Sequence, residues 1–368
     1  MQSRREFLGL LSGLAVGAST IWPGRTVLAA PRPAAAAKGW SLEDFANNVQ
    51  SGGPPKDGIP PIDDPSYVTA AKAETLLGPE DVVFGFDYQG VVKAYPQKTL
   101  VWHEIVNEEV GGEKVSITYC PLTGSVVAFR GRSRADGAML SFGTTGKLVN
   151  SNLLMYDRQT DSQWPQILGV AIAGPNKGAV LEEIPLAWTT WARWRERHPA
   201  SLVLSTDTGY FRPYGTDPYG SYEHSGTYYD SGGLFFPVMA RDDRFPSKEV
   251  VVGVKANGAQ LAILKRELRA ETVASMDLGG LPLAAFYDPG LDMVRMYVRR
   301  AAATVLSFRS DGGRIVDEVT GAPWTPDGRC TEGRLAGTRL RRLAAYEVMW
   351  FAWYAFYPQT QMGKATKT

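Results

Sequence analysis

The sequence predicts an α+β fold of two tandem, pseudo-symmetric repeats, each dominated by antiparallel strands with one or two helices. Three observations carry this. Residues 82–121 align without a gap with residues 250–289, and Val82, Val83, Gly85, Gly90, Ala94, Leu100, Gly111, Gly112, Tyr119 and Pro121 recur as Val250, Val251, Gly253, Gly258, Ala262, Leu268, Gly279, Gly280, Tyr287 and Pro289. Chance would give roughly two or three such matches at average residue frequencies. The correspondence then continues at shifting offsets: Leu140-Ser141-Phe142 with Leu306-Ser307-Phe308, Trp164 with Trp324, and Trp191 and Trp194 with Trp350 and Trp353. Short apolar runs separated by Gly, Pro and Asn signals read as strands. Two copies are too few for a solenoid.

In chain order, residues 1–29 read as a targeting segment outside the fold. Ser3-Arg4-Arg5-Glu6-Phe7-Leu8 has the form of a twin-arginine export signal, followed by a weakly apolar stretch and Val27-Leu28-Ala29 before a cleavage point. The stretch is too short and weakly apolar for a membrane span, and no later segment offers about 18 uninterrupted apolar residues. The expected address is the periplasm or cell envelope, reached by twin-arginine translocation of a folded protein. Removing this segment takes Arg4, Arg5, Arg25 and Glu6 from 39 basic and 38 acidic residues, leaving 36 and 37. With no basic excess, nucleic acid is not an expected partner.

Residues 30–80 form a linker and an ordered arm. Ser41 caps a short helix to Val49, Gly52–Pro65 is too rich in Pro, Gly and Asp for regular structure, and Ser66–Leu77 reads as helical. Repeat 1 spans residues 81–205. It opens with a hairpin, Val82–Tyr88 and Val91–Ala94, about Gln89-Gly90. Leu100, Val101, Ile105 and Val106 predict an amphipathic helix over Pro96–Val110, closed by Gly111-Gly112. Strands follow at Lys114–Tyr119, Ser125–Arg130, Ala138–Gly143 and Leu153–Tyr156, then a helix at Trp188–His198 and a strand at Ser201–Ser205. Residues 206–248 are a connector rich in Tyr, Gly, Pro and Asp, too aromatic for a flexible linker, and expected to pack over the surface between the halves. Repeat 2 spans residues 249–368.

The shared positions are Gly, Pro, Trp and aliphatic residues, which serve backbone geometry and core. The polar positions diverge: His103 becomes Glu271, Glu104 becomes Thr272, Cys120 becomes Asp288 and Arg158 becomes Glu318. This predicts that repeat 1 bears the site and repeat 2 is scaffold.

Several stretches together resemble a known family. They are Asp57-Gly58-Ile59-Pro60-Pro61-Ile62-Asp63, Ala94-Tyr95-Pro96, Trp102-His103-Glu104-Ile105-Val106-Asn107, Thr118 to Ser125, Asn150 to Thr160, and Trp350-Phe351-Ala352-Trp353. The chain is similar, over about residues 57–360, to the prokaryotic domain-of-unknown-function family numbered 3179. That resemblance implies a scaffold and no activity. The family pattern often places a second cysteine in the turn, as Cys-Pro-Leu-Cys; here Thr123 stands there, which argues against two-thiol redox or metal chemistry.

Cys120 is one of two cysteines and ends a strand before a Pro/Gly turn. Free N–H groups at Thr123, Gly124 and Ser125 would favour an anion, and so a thiolate. His103 is the candidate base, with Glu104 or Asn107 orienting it. The plainer reading is a buried, inert cysteine. A transition-metal site would use Cys120 and His103, completed by Glu104, Asp157 or His224, although no CxxC or HxxxH spacing accompanies them. Ser125, Asn152, Asp157, Arg158 and Trp164 are candidates to bind a small-molecule ligand, with Arg158 as an anion clamp; the plainer reading of that polar run is an internal turn network. His198 precedes Pro199 at a helix end, where capping explains it. A Cys120–Cys330 disulfide falls at non-equivalent places in the repeat. The expectation is an exported protein with a Cys/His/Arg site in repeat 1, either thiol-dependent in catalysis or a periplasmic metal- or small-ligand-binding protein without turnover. An envelope interaction module using the aromatic connector is the third reading.

Overall fold

The computed structural model describes residues 39–365. The twin-arginine segment and the first part of the linker lie outside the described residues. The chain is a strand-rich α+β protein of mostly antiparallel sheets with few helices, none longer than seven residues among the described ones. No described helix is long and apolar enough to cross a membrane.

The first half builds three sheets. One runs Ala187–Thr190, Val82–Tyr88, Val91–Pro96, Leu202–Leu204, Tyr67–Thr69, with Leu202–Leu204 parallel to Val91–Pro96. The second runs Glu182–Ile184, Ser125–Arg130, Glu113–Cys120, Ile105–Val110, and the third Gln50–Ser51, Phe142–Val149, Asn152–Asp157, Gln163–Pro165. The second half has sheets in the order Ala345–Met349, Val250–Ala256, Ala259–Leu264, Gln361–Met362, then Val273–Leu278, Leu281–Asp288, Met293–Val298, Arg341–Leu343, and Phe308–Asp311, Arg314–Asp317, Pro323–Trp324.

Local chemistry explains the recurring residues. Gln89-Gly90 and Asn257-Gly258 both take positive φ, as tight hairpin turns of the right twist require. Gly85 and Gly253 lie under the rings of Trp194 and Trp353, where a Cβ would stand 2.1 and 2.2 Å from ring carbon. Those indole N–H groups donate to Ser201 Oγ at 2.9 Å and Thr360 Oγ1 at 2.8 Å.

Four expected helices are shorter than their patterns, the first only at its end: capped by Ser41 as expected, it spans Leu42–Asn47 and stops before Val49. Pro96–Val110 is a helical turn, Gln97–Leu100, followed by a strand, Ile105–Val110. Glu104, with φ +62°, turns the chain between them, and Ile105, Val106 and Val110 face the core in a strand instead. Ser66–Leu77 is a strand, Tyr67–Thr69, then a helix, Ala70–Ala73. Trp188 and Thr189 belong to a strand that ends where the helix Trp191–Arg197 begins. The strand expected at Ala138–Gly143 instead spans Phe142–Val149.

The halves share a core. One apolar cluster includes Val127, Phe129, Leu153 and Trp164 with Val251, Leu264, Val348 and Trp353. Tyr346 and Tyr357 hydroxyls both donate to Ile167 O, at 3.0 and 3.1 Å. Met349 N donates to Thr123 O at 3.0 Å, tying the second half to the turn after Cys120.

Candidate functional site

Cys120 ends the strand Glu113–Cys120 and pairs with Ser125 across the turn. Thr123 N–H folds back onto Cys120 O at 3.3 Å, so one of the expected free donors is used within the turn. The thiol is buried, with Sγ 3.8 Å from Ser151 O. Burial pushes the thiol pKa up to about 11, and the charge of Glu104 adds to this. Hydrogen bonds from Thr123 and Leu153 oppose it without cancelling it.

His103 is fully buried in the turn after Gln97–Leu100. Nδ1 lies 2.7 Å from Pro60 O, and Nε2 2.7 Å from Tyr214 Oη. A carbonyl only accepts, so in the neutral ring Nδ1 carries the hydrogen and Nε2 accepts from Tyr214. Tyr214 stacks on the ring. Glu104 is buried, and its carbonyl accepts from Tyr119 N–H at 2.8 Å.

The connector lies over this end of the first half. Besides Tyr214, Thr216 O accepts from Trp102 Nε1 at 3.0 Å, and Asp217 accepts from Gln97 at 2.7 Å and from Tyr229 Oη at 2.6 Å. Tyr228 Oη donates to Leu122 O at 2.7 Å, inside the Cys120 turn. Tyr222 and Tyr229 stack with ring centroids 3.7 Å apart, and Tyr222 Oη meets Tyr119 Oη at 3.0 Å. The connector therefore covers the cysteine with a layer of tyrosines.

The remaining sequence-predicted residues fall into two networks. Asn152 Nδ2 donates to Thr123 Oγ1 at 3.0 Å and Gln166 Oε1 at 2.9 Å, while Ser125 Oγ donates to Gln166 Oε1 at 2.6 Å. Gln166 Nε2 in turn reaches Thr118. Asp157 accepts from Trp164 Nε1 at 2.9 Å and from Thr160 N at 2.6 Å, and Trp164 is fully buried with no face open to a solute. In the second half Asp317 accepts from Trp324 Nε1 at 3.0 Å and Thr320 N at 2.7 Å, the same arrangement. Arg158 is exposed and paired with Asp63 at 2.8 Å, and Asp63 also accepts from Asn107 Nδ2 at 2.7 Å. Among the described residues no group of three His, Cys, Asp or Glu side chains is placed to hold a metal ion, so Cys120 and His103 gain no third ligand there. Cys120 and Cys330 are both free.

Beside the turn lies a cavity of about 470 Å³ between the halves. It runs from Gly124, Trp188, Thr189 and Tyr222 to Lys248, Lys265, Arg269, Asp292, Glu347 and Met349. Most of its charges are paired: Lys265 with Glu347 at 2.8 Å, Arg269 with Asp292 at 2.7 Å, and Arg266 with Glu249. Lys248 Nζ sits 3.4 Å above the Tyr228 ring and donates to Ser231 Oγ at 3.0 Å; burial lowers its pKa to about 8. Two wall residues carry unmet oxygens. Thr189 Oγ1 and Glu347 Oε1 are buried with no hydrogen-bond partner. Burial also raises the Glu347 pKa, against the opposing pull of Lys265.

Thr118, Gln166, Thr189 and Glu347 are the residues that sequence reasoning missed. Glu347, alone among the apolar residues of Ala345–Met349, carried a signal: a charge inside a strand that otherwise packs on both faces. Thr189 carried none.

No curated protein and no solved structure matches the chain. A family model does, described as a protein of unknown function (DUF3179) and matched over residues 56–360; with that span covered, the chain belongs to the DUF3179 family.

Proposed function

We propose that this chain is an exported small-ligand-binding protein, with its ligand held in the junction cavity beside the Cys120 turn. The observation that carries this is the pair of buried, partnerless oxygens, Thr189 Oγ1 and Glu347 Oε1, on residues that line the cavity from opposite halves. An unmet buried acceptor costs about 1–3 kcal/mol, and a bound donor group would recover that once the Thr189 and Glu347 side chains turn their closed-off oxygens toward the cavity. The cavity volume lies within the usual range for small-molecule sites. Trp188 and Tyr222 give it an aromatic wall. Thiol-dependent catalysis has less support, because a thiol with pKa about 11 is protonated at neutral pH.

The division into tandem repeats belongs to the same reading. Matching sheet orders, the paired Gly–Trp contacts and the paired Asp–Trp contacts support one scaffold used twice. The ligand then sits where the two copies meet, and not within one of them. Export rests on the twin-arginine motif at Arg4-Arg5.

The test is native mass spectrometry of protein recovered from the periplasmic fraction. The wild type should carry a small-molecule adduct that denaturation releases. Thr189→Val keeps the shape and removes no existing hydrogen bond, so it should fold normally and hold the adduct about tenfold more weakly, the loss of one hydrogen bond. Recovery only from the cytoplasm would remove the export half of the proposal. An adduct-free wild type, or an adduct indifferent to Thr189→Val, would remove the binding half.

A further inference from the structure

A second junction cavity, of about 370 Å³, lies between the C-terminal end of the helix Trp191–Arg197 and the strands Met293–Val298 and Arg341–Leu343. Four arginines line it: Arg197, Arg295, Arg339 and Arg342. Asp288 stands at the position where the first half has Cys120. Its side chain is 2% exposed, and it holds Arg295 at 2.6 Å and Arg197 at 3.5 Å. Asp327 pairs with Arg339 at 3.6 Å. Asp87 is the other acid on the wall. Two lining carboxylates, with Asp288 behind Arg295, thus stand against four guanidinium groups.

Arg342 is the unmatched cation. Its backbone pairs with Tyr297 in the sheet, while its guanidinium has no hydrogen bond and no ion pair among the described residues. It is exposed at the surface, yet the cleft walls desolvate its head. That desolvation and the nearby charge of Arg295 push its pKa down to about 10, with Tyr297 and Asp87 pulling the other way, and it stays protonated at neutral pH. A cation strained by another cation is relieved by an anion. Planar guanidinium groups fixed on neighbouring strands offer paired N–H donors, the geometry that matches carboxylate and phosphate oxygens.

We infer that this arginine-lined cleft binds a compact organic anion through carboxylate or phosphate oxygens, with Arg342 as its anchor. Arg295, oriented from below by Asp288, forms the floor. Leu291 and Met293 supply an apolar wall for the carbon body of the ligand. The volume lies near the lower end of small-molecule pockets, roughly 300 Å³ upward. The second half then has a chemical task of its own, built on the aspartate that replaced the cysteine.

The experiment is isothermal titration calorimetry of the full chain at pH 7, with citrate as the carboxylate probe and inorganic phosphate as the other. Chloride at matched ionic strength is the control. Saturable one-site binding of either anion above the chloride control is expected. Arg342→Gln should weaken it tenfold or more, while Arg266→Gln, in the other cavity, should leave it unchanged. Preference for citrate or for phosphate identifies which oxygens the site is built for. If Arg342→Gln does not fold, Arg339→Gln, at a side chain 62% exposed, takes its place with the same expected loss. Heats no larger than those of chloride, or equal affinity in wild type and variant, would overturn the assignment.

Discussion

Raising the pH on the folded protein should leave Cys120 unreactive long after an ordinary thiol has ionised. The thiol moves from its usual 9.0 to about 11, mainly through burial and then through the Glu104 charge. Two pKa steps leave about a hundredfold less thiolate at any pH below 9, equivalent to ~3 kcal/mol. The assay is iodoacetamide alkylation in a Cys330→Ala background, followed from pH 6.5 to 11 in native buffer and in urea. At pH 8 the native rate should fall at least a hundredfold below the unfolded rate, since lack of access adds to lack of thiolate. The linkage has a definite sign. A thiol whose folded pKa exceeds its unfolded value favours the fold fully below pH 9, and this contribution disappears as pH rises through 11. Wild type should therefore lose up to about 3 kcal/mol across that window relative to Cys120→Ala. Taking the difference removes the contribution of tyrosines such as Tyr228, whose pKa is also raised by burial. A native rate within tenfold of the unfolded one, with a midpoint at or below 9, would refute the reasoning and restore Cys120 as a candidate nucleophile.

Two further outcomes test the scaffold. Gly85→Ala and Gly253→Ala each drive a methyl group into a buried indole, with Cβ at 2.1 and 2.2 Å from Trp194 and Trp353. Each should cost at least about 2 kcal/mol by overpacking, read as a lower urea midpoint; an unchanged midpoint would mean that the indole moves freely. Asp317→Asn should remove part of the acid limb of the stability curve. Burial would raise the Asp317 pKa, but bonds from Trp324, Thr320 and Val319 outweigh it and hold the carboxyl below 3.8. A depressed carboxylate stabilises above its unfolded pKa and loses this as pH falls through the folded value. The variant should therefore be about 1–3 kcal/mol less stable at neutral pH and show a flatter loss below pH 4, and parallel curves for the two proteins would contradict this.

How much could be read from the residues depended on how local the cause was. The Gln89-Gly90 hairpin was legible because two positive φ values need those residue types. The run from Gln97 to Val110 was not, because Leu100, Val101, Ile105 and Val106 satisfy both a helical face and a turn followed by a strand. What separates the two is Glu104 at φ +62°, a conformation fixed by the contacts around it and not by its own preference. The connector's aromatic content predicts packing over the surface between the halves, and its tyrosines pack against the first half. Their target, the Cys120 turn and the His103 ring, is a matter of long-range placement. The junction cavity lay wholly outside sequence reasoning: Thr189 and Glu347 come from opposite halves and are 158 positions apart.

The Cys120 and Asp288 positions carry the functional argument furthest. Along the chain alone, the exchange predicts a reactive residue kept in one half and lost in the other. The surroundings give it a different meaning. Asp288 is buried, but Arg295, Arg197 and the N–H groups of Gly290 and Leu291 all converge on its oxygens. Cys120 is buried beside the like charge of Glu104, and the hydrogen bonds around it do not offset burial. A carboxylate in the Cys120 position would face the desolvation cost of a buried ion with a second carboxylate nearby. A thiol in the Asp288 position would leave Arg295, at 10% side-chain exposure, without its buried partner. Each residue thus matches the electrostatics of its own half: a neutral group where the fold supplies no countercharge, and an anion where it supplies two arginines. The divergence between the halves at this position is therefore a divergence in charge, set by the countercharge that each half supplies, more than a working thiol and its vestige.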